Sequence, residues 1–268
     1  MANKGLQFEW CIFHLVAKNS GLKKYKTDPM GRRAALEYKA SPSAVQNSAQ
    51  NAIDVVEKSY GKIKDVSKKS GGTEPKTDLI LHTQMKRLKC SLKYGGNIQL
   101  SSGGIKNTTE FLKGVIANLA EQESMSKTQA KELLAILSNI QETLGDIGTQ
   151  PKHKAKAILE NSEDLNNALQ TVLGTRKTPD VDKKYEHIKL AIVEEALTGR
   201  ITFRGYPDLA ADHVLSESFI QKIDDRFIKS VSKKTSVRLR LKGRGKKMQE
   251  NGQEVRMNEI VVSFDTTK

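Results

Sequence analysis

The chain has 268 residues, 37% of them hydrophobic and 28% charged, enough for one ordinary domain with an appendage or two small domains around a real core. No apolar run reaches the roughly 18 residues that a membrane-spanning helix needs, and Lys4, Gln7 and Glu9, with no small-residue cleavage site, do not make a signal peptide. A net charge of +14 and a pI near 9.6 favour a polyanionic partner, nucleic acid first, over a merely solvated lysine-rich surface or packing against acidic neighbours.

Gly5–Ala17 is apolar nearly all round, which predicts a helix buried on most sides. Glu9 stands among Leu6, Phe8, Trp10, Ile12 and Phe13, and a lone buried carboxylate is costly. It therefore faces a metal, a base or a polar cleft, or else lies on the one exposed edge of the helix. His14 reads as structural. Cys11 and Cys90 fit a reducing compartment and read as small buried hydrophobes. Lys18–Ser41 is a basic, turn-rich connection that begins a second helix at Arg33–Lys39, where Glu37 rivals Glu9 in a more polar setting. Ser41-Pro42-Ser43 opens another helix running to about Ser59. The lysine-rich stretch Lys58–Gly72 reads as a loop or short strand.

Lys76–Leu81 and Leu88–Lys93 alternate apolar with polar residues and are bounded by turn-formers, which predicts two short strands. Asp78 and Ile80 share one face of the first; Lys89, Ser91 and Lys93 share one face of the second. If the turn around Gln84–Lys86 joins them as neighbours, Asp78 comes near Ser91 and Lys93. Gly95-Gly96-Asn97 suits a tight turn, and a short strand ends at Gly103-Gly104 before a helix that starts near Asn107-Thr108-Thr109-Glu110.

Asp78 followed about a dozen residues later by Ser91-x-Lys93 resembles the PD-(D/E)XK, restriction-endonuclease-like nuclease superfamily, over roughly Met1–Leu119. The sequence departs from that pattern twice: Pro75 lies three residues before Asp78, and Ser91 stands where a carboxylate is usual. The resemblance implies a Mg²⁺ (or Mn²⁺) ion held by Glu9, Asp78 and the Leu92 carbonyl, with Glu110 as the candidate for the missing carboxylate. It also implies that Lys93 positions or deprotonates the attacking water. Gln99, with Ser101 and Ser102 near the same edge, resembles the glutamine that contacts DNA after the lysine strand; a Gly/Ser loop capping a helix explains these residues equally well.

Thr108–Gly199 is predicted mostly helical: Thr108–Glu123, a helix opened by the Ser126/Gln129 capping box and stopped at Gly145, a third over Lys152–Leu173, and a fourth after Pro179-Asp180 ending at Gly199. Glu194-Glu195 reads as surface. Ile201–Phe203 is predicted a short strand and Glu217–Ser230 one or two short helices. Thr235–Lys242 alternates strictly, the chain turns through Gly243–Gly252, and Val255–Phe264 returns as the second strand of a hairpin. From Arg226 to Lys247 there are ten Lys/Arg and no Asp or Glu. Arg238, Arg240 and Lys242 form a row that, with Arg244, suits phosphates along a nucleic-acid backbone, or is simply the solvated face of an antiparallel sheet. The five histidines (14, 82, 153, 187, 213) are scattered without zinc-like pairs.

These readings predict an α+β chain with a small mixed sheet and flanking helices (1–119), a helical region (120–199) and a C-terminal region with a basic β-hairpin (200–268). The function they imply is a metal-dependent endonuclease acting on double-stranded DNA, in the host cytoplasm or virion if phage-encoded. Cleaving both strands points to a homodimer, although no heptad repeat marks an interface. The rival is a DNA-binding or virion structural protein on the same fold, with Asp78 and Lys93 as a plain interstrand salt bridge and virion proteins as partners. The whole chain loosely resembles uncharacterised proteins of large tailed phages.

Overall fold

The computed structural model describes residues 3–21, 28–68, 76–95, 99–144, 148–175, 177–179 and 181–266; of residues 99–103, 164, 165, 168 and 265 it describes the backbone alone. In chain order the elements are α1 (Lys4–Asn19), α2 (Pro29–Ala40), α3 (Ser43–Tyr60), β1 (Ile63–Ser67), β2 (Leu79–Thr83), β3 (Arg87–Leu92), β4 (Gln99–Gly104), α4 (Ile105–Glu121) and α5 (Lys127–Leu144). There follow β5 (Gln150–Pro151), α6 (Lys152–Glu160), α7 (Glu163–Leu173), α8 (Lys183–Thr198), β6 (His213–Leu215), β7 (Ile220–Lys222), α9 (Asp225–Lys234), β8 (Thr235–Glu250) and β9 (Gln253–Thr266). The chain is thus mixed α+β, grouped into two compact units: Met1–Ile98 with Leu197–Phe227, and Gln99–Ala196 with Ile228–Lys268. Both units are discontinuous, whereas the segments expected from sequence are consecutive. The chain leaves the first unit after β3 and returns to it at the end of α8.

Local chemistry explains the first unit's helices. Asn3 caps α1 by accepting from Gly5 N at 3.0 Å. Asp28 caps α2 by accepting from Met30 N at 2.8 Å, and Pro29 fills the first turn. Gly61 ends α3 at φ 74, a conformation costly for a residue with a Cβ, and an added Cβ would strike the Gln84 side chain. These helices cover a five-stranded sheet in the order β1-β2-β3-β6-β7. β1, β2 and β3 are antiparallel neighbours, β6 runs parallel to β3, and β7 returns antiparallel to β6. Leu79, Leu81, Leu88, Cys90 and Leu215 form one buried cluster with Phe8, Ile12 and Val16 of α1 and Ala49, Ile53 and Val56 of α3. By alternation Ile80 and Val214 point the other way, and they too are fully buried, so both faces of the sheet are covered.

In the second unit β9 is central, with β8 along one side and β4 and β5 on the other. α4 lies against this sheet, the Phe111 and Phe264 rings 6.2 Å apart. Several expectations are corrected. The predicted helix over Lys152–Leu173 is two helices broken at Asn161-Ser162, where the Ser162 hydroxyl donates to the Ile158 carbonyl at 2.7 Å and competes with the backbone ladder. Ile201–Phe203 is a turn, Phe203 N bonding Gly199 O at 2.9 Å, and Glu217–Ser230 begins with β7 before α9. The strand from Thr235 runs on to Glu250, and the chain reverses at Asn251-Gly252, both with positive φ (51 and 77). That Asn-Gly pair is the two-residue turn whose twist matches antiparallel strands, and Arg244–Lys246 are absorbed as an irregularity in the ladder. Glu195, read as surface, is 2% exposed.

Phe8 is fully buried in the same cluster as the chain's single tryptophan. Phe8→Ala is expected to lower the stability of the first unit by about 3–5 kcal/mol, read as a shifted urea midpoint of Trp10 fluorescence.

Candidate functional site

β2 and β3 bring together four of the residues singled out from the sequence. The register Leu79↔Cys90 and Ile80↔Lys89, extended by one pair, sets Asp78 across from Ser91. Asp78 N donates to Cys90 O at 2.9 Å, and Asp78 Oδ2 accepts from Leu92 N at 2.6 Å. The carboxylate thus continues the ladder as a side chain where the backbone leaves it, because Lys76 N and Thr77 N both turn to Leu209 O at 3.0 and 3.1 Å. Ser91 is 4% exposed. Lys93 follows directly, its own amide bonded to Leu215 O at 2.9 Å. Burial lowers the Lys93 pKa, and the nearby Asp78 charge opposes that shift only in part.

Glu9 lies on α1 and is 7% exposed. Of the alternatives the sequence left open, the base is the one found: Glu9 forms an ion pair with Lys68. Lys68 also lies 5.4 Å from the centroid of the Trp10 ring, which Arg33 approaches at 4.9 Å. Ser67 pairs with Ile80, so extending the register by one residue sets Lys68 opposite Leu79, next in the chain to Asp78. Apart from the ion pair, Glu9 Oε1 is buried without a hydrogen bond, as is the Thr77 hydroxyl beside Asp78. Among the described residues no three His, Cys, Asp or Glu side chains cluster to hold a metal ion. Glu110 belongs to the second unit, where it is exposed and pairs with Lys113 at 3.6 Å. The side chains of Gln99, Ser101 and Ser102 lie outside the described residues; their backbone forms β4, paired with β9.

A second cluster escaped the sequence reading. Asp212 Oδ1 lies 2.6 Å from His213 Nδ1 and accepts from Lys89 N at 2.8 Å. His213 Nε2 lies 3.3 Å from the Tyr60 hydroxyl, the two rings edge-on at 5.6 Å. His213 is 3% exposed, whereas Tyr60, at the end of α3, is half-buried. Burial pushes the Asp212 carboxyl up, but the hydrogen bonds from His213 and the Lys89 amide outweigh it and hold the group below the usual carboxylate value. Burial, with the nearby Asp212 charge, pushes the Tyr60 phenol up. The only local signal was Asp-His ahead of a short apolar run; Tyr60 is 153 residues away in the chain. The two cysteines are buried, as expected, and His14 stacks on Tyr38 at 4.4 Å.

On β8, Arg238 and Lys242 are exposed, and Arg240 donates from Nε to Ser263 Oγ at 2.6 Å. The run without acids is less unopposed than its sequence suggests, because β9 supplies the missing carboxylates. Glu259 pairs with Arg244, and Glu254 with Lys247. Glu250, at the end of β8, takes Lys154 at 2.7 Å.

The chain matches no protein-family model, no curated protein and no solved structure.

Because Lys93 has a lower pKa folded than its ordinary value of 10.5, the unfolded chain binds its proton more tightly. Stability therefore rises with pH in the alkaline range below that ordinary value, as the folded-state lysine deprotonates first. Lys93→Met is expected to remove this rise, measured as the slope of melting temperature against pH.

Proposed function

We propose that this chain is a metal-dependent endonuclease that hydrolyses phosphodiester bonds in double-stranded DNA. The observation that carries the reading is the pairing of Asp78 with Ser91 on adjacent antiparallel strands, with the Asp78 carboxylate near a half-buried Lys93 of lowered pKa. Perturbed lysines beside carboxylates are arranged that way where protons move. The mixed sheet flanked by helices is consistent with a restriction-endonuclease-like core, and the basic row Arg238, Arg240 and Lys242 with phosphate contact. Cleavage of both strands takes two such sites, which a homodimer supplies.

The donor set suits a lean divalent site. On this reading Glu9, Asp78 and the Leu92 carbonyl would hold Mg²⁺ or Mn²⁺, the ion taking the place of Lys68 at Glu9 Oε1. When bound, such an ion polarises the scissile phosphate and lowers the pKa of a water. The chain's own groups do the rest. The Leu92 amide orients Asp78 through Oδ2. Lys93, desolvated and deprotonating more readily than a free lysine, takes a proton from the attacking water or, protonated, offsets charge growing on the phosphate. Lys68 neutralises Glu9.

A second reading draws on the same contacts. Asp78 closes the β2–β3 ladder and Glu9 is matched by Lys68, the arrangement expected of a DNA-binding or virion structural protein that does not cleave.

Supercoiled plasmid with Mg²⁺ or Mn²⁺ separates the two. Nicking by the native chain, reduced at least about 10²-fold in Lys93→Ala and in Asp78→Ala, supports the enzyme. Intact plasmid, shifted equally by all three proteins, rejects hydrolysis and leaves binding. On either reading, replacing Arg238 and Lys242 together by glutamate is expected to weaken DNA binding uniformly across sequences. The slope of log K against log salt should flatten by about 1 for each phosphate that is no longer neutralised, read by fluorescence anisotropy over a salt series.

A further inference from the structure

We propose that Tyr60 is a second reactive group: a nucleophile for the phosphorus of a nucleic-acid phosphodiester, with His213 as its general base and Asp212 as the group that sets the imidazole. This rests on the reading that the chain acts on nucleic acid, but on neither the metal nor Asp78 and Lys93.

The geometry supplies each part. Asp212 is ionised and accepts at Oδ1 from the Lys89 amide at 2.8 Å, so the hydrogen of the 2.6 Å contact sits on His213 Nδ1. That tautomer leaves the Nε2 lone pair facing the Tyr60 hydroxyl at 3.3 Å. Nucleophile, base and orienting carboxylate in series are the arrangement that activates a weak hydroxyl, and the first contact is commonly long before substrate binds. The base is required, because burial raises the Tyr60 phenol and keeps it protonated at neutral pH. The base is buried, while the Asp212 carboxylate and the Tyr60 phenol are half-buried, so a substrate can meet the nucleophile without entering the core. Its surroundings suit a phosphate: Lys86 Nζ lies 4.3 Å from the ring centroid, Lys222 is the register partner of His213, and Lys62 follows two residues after Tyr60; all three lysines are exposed.

The step balances without a co-reactant. The Tyr60 oxygen forms a bond to phosphorus as the bond from phosphorus to one sugar oxygen breaks. The phenol proton passes to His213 Nε2 and is returned to solvent, while the departing sugar oxygen takes up a proton from solvent. The products are a phosphotyrosyl link and a free sugar hydroxyl, one phosphodiester exchanged for another.

The test uses the full chain in EDTA, which silences metal-dependent hydrolysis. The probes are labelled single-stranded and duplex oligonucleotides and the p-nitrophenyl ester of thymidine 5′-monophosphate, whose leaving group needs no proton. The expected result is a denaturation-stable adduct mapped to Tyr60 by mass spectrometry, with release of p-nitrophenolate. It should be absent in Tyr60→Phe and reduced at least about 10²-fold in His213→Gln with the oligonucleotides. Tyr60→Phe retains the ring packing, so its melting temperature should match the native chain, and it decides the matter if His213→Gln fails to fold. DNA shifted on a native gel with no adduct from any probe overturns this inference alone, as does an adduct mapped to another residue. Neither shift nor adduct overturns it together with the nucleic-acid reading.

Discussion

Two amides of β3 are held by aspartate side chains, and the first unit is organised around that fact. Leu92 N donates to Asp78 at 2.6 Å on the β2 side, and Lys89 N to Asp212 at 2.8 Å on the β6 side. Each aspartate stands at the residue before its own strand, where the neighbouring backbone turns away and a buried N–H would otherwise be left unpaired. A hydrogen bond to a charged acceptor is worth roughly 1.5–3 kcal/mol, and an orphaned amide costs about as much. The same bonds fix two carboxylates along the central strand, one beside Lys93 and one beside His213. Structure and candidate chemistry therefore depend on the same bonds, and neither aspartate can be replaced without disturbing both.

What was legible in the sequence was local. The helices announced themselves through period and caps: Asn3 and Asp28 are side-chain caps, and Ser126 holds the Gln129 amide at 3.2 Å. The β2–β3 pair was legible because alternation and a three-residue turn leave one register, and that register sets Asp78 across from Ser91. β6 was not, because three residues of strand, His213–Leu215, carry no periodicity, and their pairing with β3 bridges more than a hundred residues of chain. The charge that answers Glu9 was equally hidden: Lys68 is one of several lysines in its stretch, and only the β1–β2 register selects it. The turn of the basic ribbon is readable in the sequence, but at a different place from the glycine-rich run. Glycine-rich Gly243–Gly252 looks like a loop, whereas Asn251-Gly252 alone meets the demand for two positive φ values.

The basic ribbon shows why a net charge is an incomplete guide to a surface. β8 is a long strand at one side of its sheet, the kind of element that invites unwanted pairing, and charged side chains are a common remedy. Its cations serve that purpose whatever they bind. Arg244 is partly neutralised by Glu259 and Lys247 by Glu254, and Lys242 lies across the ladder from the same Glu259.

Burial acts with opposite sign on the two proton-bearing groups of the first unit. It lowers Lys93, a cation whose charged form is disfavoured out of water, and raises Tyr60, a neutral acid whose charged form is disfavoured in the same way. A lysine moved towards neutrality gains the ability to exchange a proton alone, and the adjacent carboxylate only tempers the shift. A phenol moved away from neutrality loses that ability and becomes reactive only through a partner that takes its proton as the bond forms. Lys93 accordingly has a carboxylate beside it, while Tyr60 has an imidazole, and behind the imidazole an ionised aspartate pinned by a backbone amide of β3.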